Sequence, residues 1–296
     1  MTDTIAVTGA AGGVGSWTVE RLRERWQVLA MDQERPPGSA ENVDFQVVDL
    51  REHGQVWELF DEAVPSTVVH FGNIPSALHH PDGAVYENNT LANYAVLDAA
   101  GRVGADVIWA SSETVYGTHY AEPELPAYLP IDEAHPIRLW TGYETSKYAG
   151  EAVADRINTI WGVNVLSLRP SWVQYPGEYE AERPDTVDVE TLEPEGNYWS
   201  YIDVRDVVDL VEAAIAEPPD GHECVNVHAP DNYLGVETAA AIDASYGGLP
   251  DRVDITGTES AFSSAKAERL FDWEPTHLLE RAATESVPRP AFLRPD

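Results

Sequence analysis

Positive charge is the scarcest property of this sequence. Its 296 residues include 51 aspartates and glutamates against 18 lysines and arginines, a formal net charge of −33. Only two of the 18 are lysines, Lys147 and Lys266. A nucleic-acid-binding face needs clustered basic side chains, so we expect no nucleic-acid partner. Docking on an anionic membrane surface is disfavoured for the same reason.

Cysteines and long apolar runs are also nearly absent. Cys224 is the single cysteine, so an internal disulfide is excluded, which suits a reducing compartment. No apolar stretch approaches the ~18 uninterrupted residues that would indicate a bilayer-spanning helix. The N-terminus runs directly into an apolar strand pattern, with no basic leader. These features predict a cytoplasmic protein.

What is present argues for a folded protein in concentrated salt. An apolar fraction of 43% with nine tryptophans and 13 tyrosines is too high for an acidic disordered chain. At ordinary ionic strength a net charge of −33 repels itself strongly, whereas in molar salt the Debye length falls to ~3 Å. The acidic residues are scattered along the chain, which favours halophilic adaptation over the alternative of a specific cationic partner.

Short apolar runs alternate with helical spacing along the first 170 residues. The alternation predicts parallel βαβ units and therefore an α/β fold, a doubly wound parallel sheet of the Rossmann type. Strands are predicted at 4–7, 27–31, 45–48, 67–71, 106–110 and 164–168, and helices at 14–25, 52–63, 85–103 and 142–161.

The pattern changes after residue 170. Residues 174–198 form an acidic loop, and helices are then predicted at 204–216, 236–246 and 262–271, with a strand at 223–227. We expect a first domain over 1–170 that includes the catalytic helix. Residues 171–296 are expected to form a smaller interwoven α/β portion, whose strand and helix near 201–230 return to the main domain.

A glycine-rich turn follows the first strand. Gly9, Gly12 and Gly15 have G-x-x-G-x-x-G spacing, with Gly13 and Val14 between the last two. One glycine permits the tight strand-to-helix turn, another lets the backbone approach a pyrophosphate, and the third lets helix and strand pack closely. The N–H groups and dipole of the helix N-terminus then favour the anion. The first domain is therefore predicted to bind a dinucleotide.

Asp32 ends the second predicted strand, 17 positions after Gly15. A carboxylate there binds both hydroxyls of an adenosine ribose and repels a 2′-phosphate, which predicts NAD over NADP. The alternative is a turn residue at a strand end. Arg35 nearby softens the preference, so use of NADP stays open.

Tyr143 and Lys147 form a Y-x-x-x-K pair in the predicted helix 142–161. Their spacing places both side chains on one helix face. A nearby ammonium lowers the pKa of a tyrosine from ~10 and fits it for general acid–base catalysis on a hydroxyl. Lys147 can also hold the nicotinamide ribose. The alternative, a surface tyrosine and a solvated lysine, is disfavoured because lysine is otherwise so rare in this chain.

These residues, with Ser111-Ser112-Glu113-Thr114-Val115-Tyr116-Gly117 after the fifth strand, resemble the extended short-chain dehydrogenase/reductase family. That group contains NAD-dependent sugar epimerases and dehydratases. The resemblance implies that Ser112 positions the substrate and that the protein forms a homodimer on helices 85–103 and 142–161. It implies further cofactor contacts for Asp49, Leu50, Phe71, Gly72, Asn89, Pro170 and Val173. For Asn89 the alternative is a hydrogen bond inside its helix, and for His70 strand packing is expected.

The segment after residue 170 differs from that of nucleotide-sugar enzymes. Arg183 is the single basic residue between 170 and 204, whereas a diphosphate needs Arg or Lys. The resemblance is closest to sugar 1-dehydrogenases and uronate dehydrogenases, which implies oxidation of C1 of a small free sugar, an aldose or a uronic acid, to a lactone. Residues expected to face that sugar are Asn73, Ser112, Glu113, Thr114 and Trp172.

Three alternatives remain open at this point. A nucleotide-sugar 4-epimerase or dehydratase with tightly bound NAD is the second candidate. A non-catalytic NAD-binding regulator is disfavoured because it would not need Ser112, Tyr143 and Lys147. For Glu113 alone, a plain surface carboxylate is the competing interpretation. We expect no metal ion.

Overall fold

The computed structural model describes residues 3–75, 80–119 and 124–294. The described strands are β1 (Thr4–Thr8), β2 (Gln27–Asp32), β3 (Val43–Val47), β4 (Thr67–His70), β5 (Asp106–Ala110), β6 (Val165–Pro170), β7 (Val173–Gln174), β8 (Ile202–Asp203) and β9 (His222–Val227). The described helices are α1 (Gly13–Leu22), α2 (His53–Ala63), α3 (Asp82–Val103), α4 (Gly142–Trp161), α5 (Val204–Ala216), α6 (Thr238–Tyr246), α7 (Ala265–Phe271) and α8 (Leu279–Ala282). Short 3₁₀ turns occur at Glu113–Tyr116, Val189–Thr191 and Ala291–Leu293.

Seven strands form one sheet in the order β3-β2-β1-β4-β5-β6-β9. Every pairing in it is parallel, so the predicted doubly wound α/β fold is confirmed. The strand order changes direction between β1 and β4. At such a point the loops that follow the two strands leave on opposite faces, and a crevice opens outside their carboxyl ends.

The two faces of the sheet bury alternate side chains. Ile5 and Val7 of β1 pack in the cluster covered by α1, α5 and α7. Ala6, between them, belongs to the cluster covered by α2, α3 and α4. This two-sided burial explains why the strands read as continuous apolar runs.

The element boundaries follow the apolar pattern closely. The predicted ranges 106–110, 142–161 and 204–216 coincide with β5, α4 and α5, and the other predicted elements agree within three residues at either end. The two-residue strands β7 and β8, paired as a separate parallel ribbon, were not predicted. Elements this short carry no periodicity.

A third apolar cluster joins residues from before and after residue 170. It includes Leu129, Ile131, Trp199 and Phe262, and it packs against the 3₁₀ turn that follows β5. From the part of the chain after residue 170, β9 joins the main sheet beside β6. The division of the chain at residue 170 stays a prediction. None of the helices in the described ranges is long and apolar enough to cross a membrane.

Most arginines form ion pairs. Arg21 of α1 pairs with Asp209 of α5, and Arg25, shortly after α1, pairs with Glu212 of α5. Because 51 acids face 18 bases, 33 carboxylates would lack a basic partner even if every base were paired. The folded chain therefore concentrates like charge that the unfolded chain spreads out.

We predict that the melting temperature rises when NaCl is increased from 0.1 to 2 M, because screening shortens the Debye length from ~10 Å to below ~3 Å. Thermal unfolding followed by circular dichroism measures this. Sucrose at matched osmolality is the control, since it acts by exclusion from the surface and leaves charge repulsion intact. A melting temperature that is flat or falls with NaCl would contradict the prediction.

Candidate active site

A cavity of about 820 Å³ opens at the carboxyl ends of the central strands. It brings together most of the residues that the sequence singled out. The sequence-predicted residues that line it are Gly9, Gly12, Gly13, Val14, Gly15, Phe71, Asn73, Ser112, Glu113, Thr114, Tyr143, Lys147, Pro170, Trp172 and Val173.

The glycine turn forms one wall of the cavity. Gly9 has a φ of +68°, and a Cβ on it would lie 2.6 Å from the Phe71 carbonyl carbon. A Cβ on Gly15 would lie 2.0 Å from the Gly9 oxygen. Gly12 caps α1 without a side chain, so the first N–H groups of that helix are left for another acceptor. The wall therefore fits a dinucleotide pyrophosphate.

Asp32 is tied to this turn. One carboxylate oxygen accepts from the Ala11 N–H at 2.9 Å and the other from the Gln33 N–H at 2.7 Å. Arg35 points toward β3, where its guanidinium donates to the Phe45 carbonyl at 2.6 Å and lies 5.4 Å from the centroid of the Phe45 ring. The arginine that could have met a 2′-phosphate is thus engaged elsewhere.

Several predicted cofactor residues are not among those that line the cavity, namely Asp32, Asp49, Leu50, Gly72 and Asn89. Asp49 is ion-paired with Arg51, whose guanidinium holds the pKa of that carboxyl below its usual value. Leu50 is buried, and its Cδ1 would lie 2.3 Å from a Cβ on Gly72.

Asn89 is also buried. Its amide accepts from the Ile74 N–H at 2.8 Å and donates to the Ile74 carbonyl at 3.0 Å. Asn89 therefore holds the loop after β4, and a direct contact of Asn89 with the cofactor stays a prediction.

The start of α4 is fixed by a capping box. The Thr141 hydroxyl accepts from the Glu144 N–H at 3.3 Å, and the Glu144 carboxylate accepts from the Thr141 N–H at 2.9 Å. The Gly142 N–H donates to Asp82 at the start of α3 at 2.6 Å. These bonds place Tyr143 and Lys147 in the first two turns of α4, facing β5.

Lys147 is buried beneath Tyr143. Its side chain reaches the end of β5, where Nζ donates to the Ala110 carbonyl at 2.8 Å and lies 5.6 Å from the centroid of the Tyr143 ring. Lys147 is 3% exposed and Tyr143 is 7% exposed, so the solvated pair considered above is not what the chain forms. Burial lowers the pKa of Lys147 to about 7.

Ser112 stands two residues after Ala110 and caps the 3₁₀ turn. Its hydroxyl oxygen accepts from the Thr114 N–H at 3.2 Å and from the Thr114 hydroxyl at 3.0 Å. Because both lone pairs are occupied, the Ser112 hydroxyl has its own proton left to donate. It can therefore donate a hydrogen bond into the cavity.

A network that sequence reasoning missed supports Asn73. His70 is fully buried, with its ring nitrogens 2.6 Å from the Thr8 hydroxyl and 2.9 Å from Asn93 Oδ1. The Asn73 amide donates to Asn93 Oδ1 at 2.8 Å. Burial lowers the pKa of His70 to about 3, so the ring stays neutral. His70 thus does more than pack its strand, because it anchors the network that orients Asn73.

The acidic loop 174–198 also contributes to the cavity, which the composition did not predict. Its lining residues are Tyr175, Glu180, Glu195 and Asn197. Within the described ranges, Lys147 is the one lysine or arginine among the residues that line the cavity. In the sequence, the scarcity of basic residues was the one indication that the cavity lining would contain few positive charges.

One described group has metal-ligand geometry, formed by Asp206, Asp209 and His277. Asp206 Oδ1 lies 2.7 Å from His277 Nδ1 and accepts from the Thr276 N–H at 3.0 Å, so its carboxylate already holds the loop after α7. None of the three residues lines the cavity.

The comparisons with known proteins agree with this geometry. The sequence model of the NAD-dependent epimerase/dehydratase family matches residues 5–227 of this chain. The chain belongs to that family. The members of this family are NAD-dependent enzymes, and NAD is the cofactor of this chain.

Two curated relatives and one solved structure indicate the range of likeness. L-arabinose 1-dehydrogenase of Haloferax volcanii is 28% identical over 275 residues, 88% of this chain and 97% of that protein. UDP-glucose 4-epimerase of Lacticaseibacillus casei is 26% identical over 174 residues, 56% of this chain. This chain spans about half the length of the UDP-glucose 4-epimerases that it matches. The structure of a mutated uronate dehydrogenase has 21% identity and a TM-score of 0.67, covering 99% of this chain and 94% of that one, and shows the same fold.

The burial of Lys147 predicts a pH dependence of stability. Its pKa is about 7 in the folded protein, below the ordinary value of 10.5, so the folded state binds fewer protons between these values. The free energy of unfolding should therefore rise with pH between about 7 and 10.5. Below pH 7 the buried ammonium is charged, and its burial destabilises the folded state most there. We predict that wild type gains stability relative to Lys147→Met between pH 7 and pH 10, measured by urea unfolding at constant salt. A difference that is the same at every pH would contradict the burial of this ammonium.

Proposed function

We propose that the protein is an NAD-dependent dehydrogenase that oxidises C1 of a small free sugar, an aldose or a uronic acid, to a lactone. The observation that carries the proposal is the buried Tyr143–Lys147 pair, which opens onto a cavity with no other lysine or arginine in its described lining. The pair supplies acid–base chemistry, and the lining suits a substrate without a diphosphate.

The proposed roles follow from position and charge. Tyr143 accepts the proton of the anomeric hydroxyl as the C1–H bond breaks, and the Lys147 ammonium beneath the ring favours the phenolate. Ser112 donates a hydrogen bond to the sugar oxygen and keeps its proton, and Trp172 provides an apolar wall. Bound NAD supplies the hydride acceptor. Removal of one proton and one hydride turns the C1 hydroxyl into the lactone carbonyl.

The residues proposed to contact the cofactor favour NAD over NADP. The Asp32 carboxylate is fixed beside the glycine turn by two backbone N–H groups, in the place where it would bind ribose hydroxyls and repel a 2′-phosphate. Arg35, the nearby base, is turned toward Phe45. Gly9, Gly12, Gly13, Val14 and Gly15 are proposed to hold the pyrophosphate.

The size and charge of the substrate are argued from what surrounds the catalytic pair. A nucleotide sugar brings two phosphates that arginine or lysine normally neutralises, whereas Glu180 and Glu195 add negative charge to this lining. In sequence, the arabinose dehydrogenase relative matches over 97% of its length and the Lacticaseibacillus casei epimerase over 50% of its length. A free sugar is therefore the better candidate, and 4-epimerisation of a nucleotide sugar is the alternative.

We also propose a homodimer that forms on α3 and α4. Exposed aromatic and aliphatic side chains lie on both helices, among them Tyr86, Leu91 and Tyr94 on α3 and Tyr148 and Ile160 on α4. Apolar groups of this size are favourable to bury against a second copy.

The single cysteine and the acidic composition support a salt-rich cytoplasm as the location.

The test is an assay of reduced cofactor formation in 2 M salt with NAD or NADP and a panel of aldoses and uronic acids. We predict NAD reduction with at least one free sugar. Tyr143→Phe is predicted to lower kcat at least 100-fold, within the usual contribution of a general base, while the Kd for NAD changes little.

Tyr148→Phe, an exposed tyrosine on the same helix, is the matched control and should stay active. If no free sugar reduces the cofactor, the proposal is wrong. Conversion of a nucleotide sugar without net cofactor reduction would establish the epimerase alternative.

A further inference from the structure

A buried carboxyl and a buried imidazole meet at the wall of the cavity. Glu113 begins the 3₁₀ turn after β5 and lines the cavity, and its side chain is 5% exposed. His228 directly follows β9 and lies behind Glu113 with a fully buried side chain. Glu113 Oε2 is 3.6 Å from His228 Nδ1, and the imidazole stacks on Phe262 at 4.3 Å between centroids. Glu113 is therefore not the surface carboxylate that its acidic context suggested.

Three polar atoms of this pair are unsatisfied. Glu113 Oε2 and both ring nitrogens of His228 are buried and make no hydrogen bond of ordinary geometry with the described residues. Buried polar groups are nearly always paired, so each exception asks for an explanation. Glu113 is among the described residues that line the cavity and His228 is not, so His228 can be completed by Glu113, and Glu113 can in turn meet a ligand.

Burial shifts both members of the pair toward their neutral forms. Burial raises the pKa of the Glu113 carboxyl well above its usual range, opposed in part by the neighbouring Ser171 hydroxyl. Burial lowers the pKa of His228 to about 3, opposed in part by a backbone group of Arg169. Burial thus favours a carboxylic acid beside a neutral imidazole, each of which carries one proton.

The neutral tautomer of His228 that carries its proton on Nε2 leaves Nδ1 as an acceptor for Glu113. A small side-chain adjustment brings Oε2 and Nδ1 to hydrogen-bond distance, and the carboxylic acid then donates to the imidazole. The carbonyl oxygen of Glu113 is left as an acceptor toward the cavity. Such a subsite receives a hydrogen bond from a group that carries a proton.

We propose that Glu113, positioned by His228, forms a subsite that accepts a hydrogen bond from a hydroxyl of a neutral aldose and so selects aldoses over uronic acids. This inference rests on the proposed sugar dehydrogenase function. The selection requires that the subsite face the terminal carbon of the sugar, where an aldose carries a hydroxyl with a proton to donate and a uronic acid carries a carboxylate that has none. Glu180 and Glu195 in the same lining add repulsion against a second anion.

The first test compares aldoses with their matching uronic acids in the wild-type protein. We predict that kcat/KM is at least 50-fold higher for the aldoses, which corresponds to one hydrogen-bonded group left without its partner. Equal or better oxidation of uronic acids would overturn the subsite while leaving the dehydrogenase function intact. If no free sugar is oxidised, both proposals are wrong.

The second test uses variants of the pair. Glu113→Ala is predicted to raise KM for the aldose about 10- to 100-fold, the range for a lost hydrogen bond, with less than a threefold change in kcat and an unchanged Kd for NAD. Glu113→Gln retains a donor toward His228 and an acceptor toward the sugar, so it should stay within fivefold of wild type. His228→Phe keeps the stacking on Phe262 and should raise KM without lowering kcat in proportion.

Glu62→Ala, an exposed carboxylate on α2, is the matched control for charge removal. An unchanged KM in Glu113→Ala would overturn the subsite even if the protein is an active sugar dehydrogenase. If that variant does not fold, Glu113→Gln and His228→Phe decide the matter. Loss of sugar binding in the conservative Gln variant, or a wild-type KM in the Phe variant, would contradict the proposed direction of the proton.

Discussion

The hydrogen bond from Lys147 Nζ to the Ala110 carbonyl is the contact on which the candidate site depends. It joins α4 to the carboxyl end of β5, and Ser112 follows two residues later in the same chain segment. Burying an ammonium costs free energy, and the lowered pKa of Lys147 records that cost. The site therefore carries its proton-transfer groups at the expense of local stability, as functional sites commonly do.

The scarcity of positive charge shapes the rest of the molecule. Buried bases occur where they hold architecture together, as in Arg169, which donates to Glu151 of α4 and to the Tyr116 hydroxyl. This pair ties β6, α4 and the 3₁₀ turn into one unit. Lys266 binds the Cys224 carbonyl and Glu223 at the edge of the sheet. With these bases engaged, Lys147 is the one lysine or arginine in the described lining of the cavity, and the acidic and neutral groups around it suit a sugar better than a diphosphate.

The fold and the core of the site could be predicted because their signals are local. Apolar runs fixed the extents of β5 and α4, and the glycine turn and the Tyr143–Lys147 spacing each lie within a few residues of sequence. The His70–Asn93–Asn73 network and the Glu113–His228 pair could not be predicted, since they join residues far apart in the chain with no pattern around them. Asn89 was singled out by a local motif, but its hydrogen bonds to Ile74 could not be predicted, because they depend on the loop after β4 that packs against it.

The most direct test of the account is to follow the hydrogen at C1 of the sugar. An aldose deuterated at C1 should be incubated with the protein and NAD in high salt, and the label located by mass spectrometry. The account predicts one deuterium in the reduced cofactor for each lactone formed. Deuterium that stays on C1, in an unreacted or epimerised sugar, would contradict it.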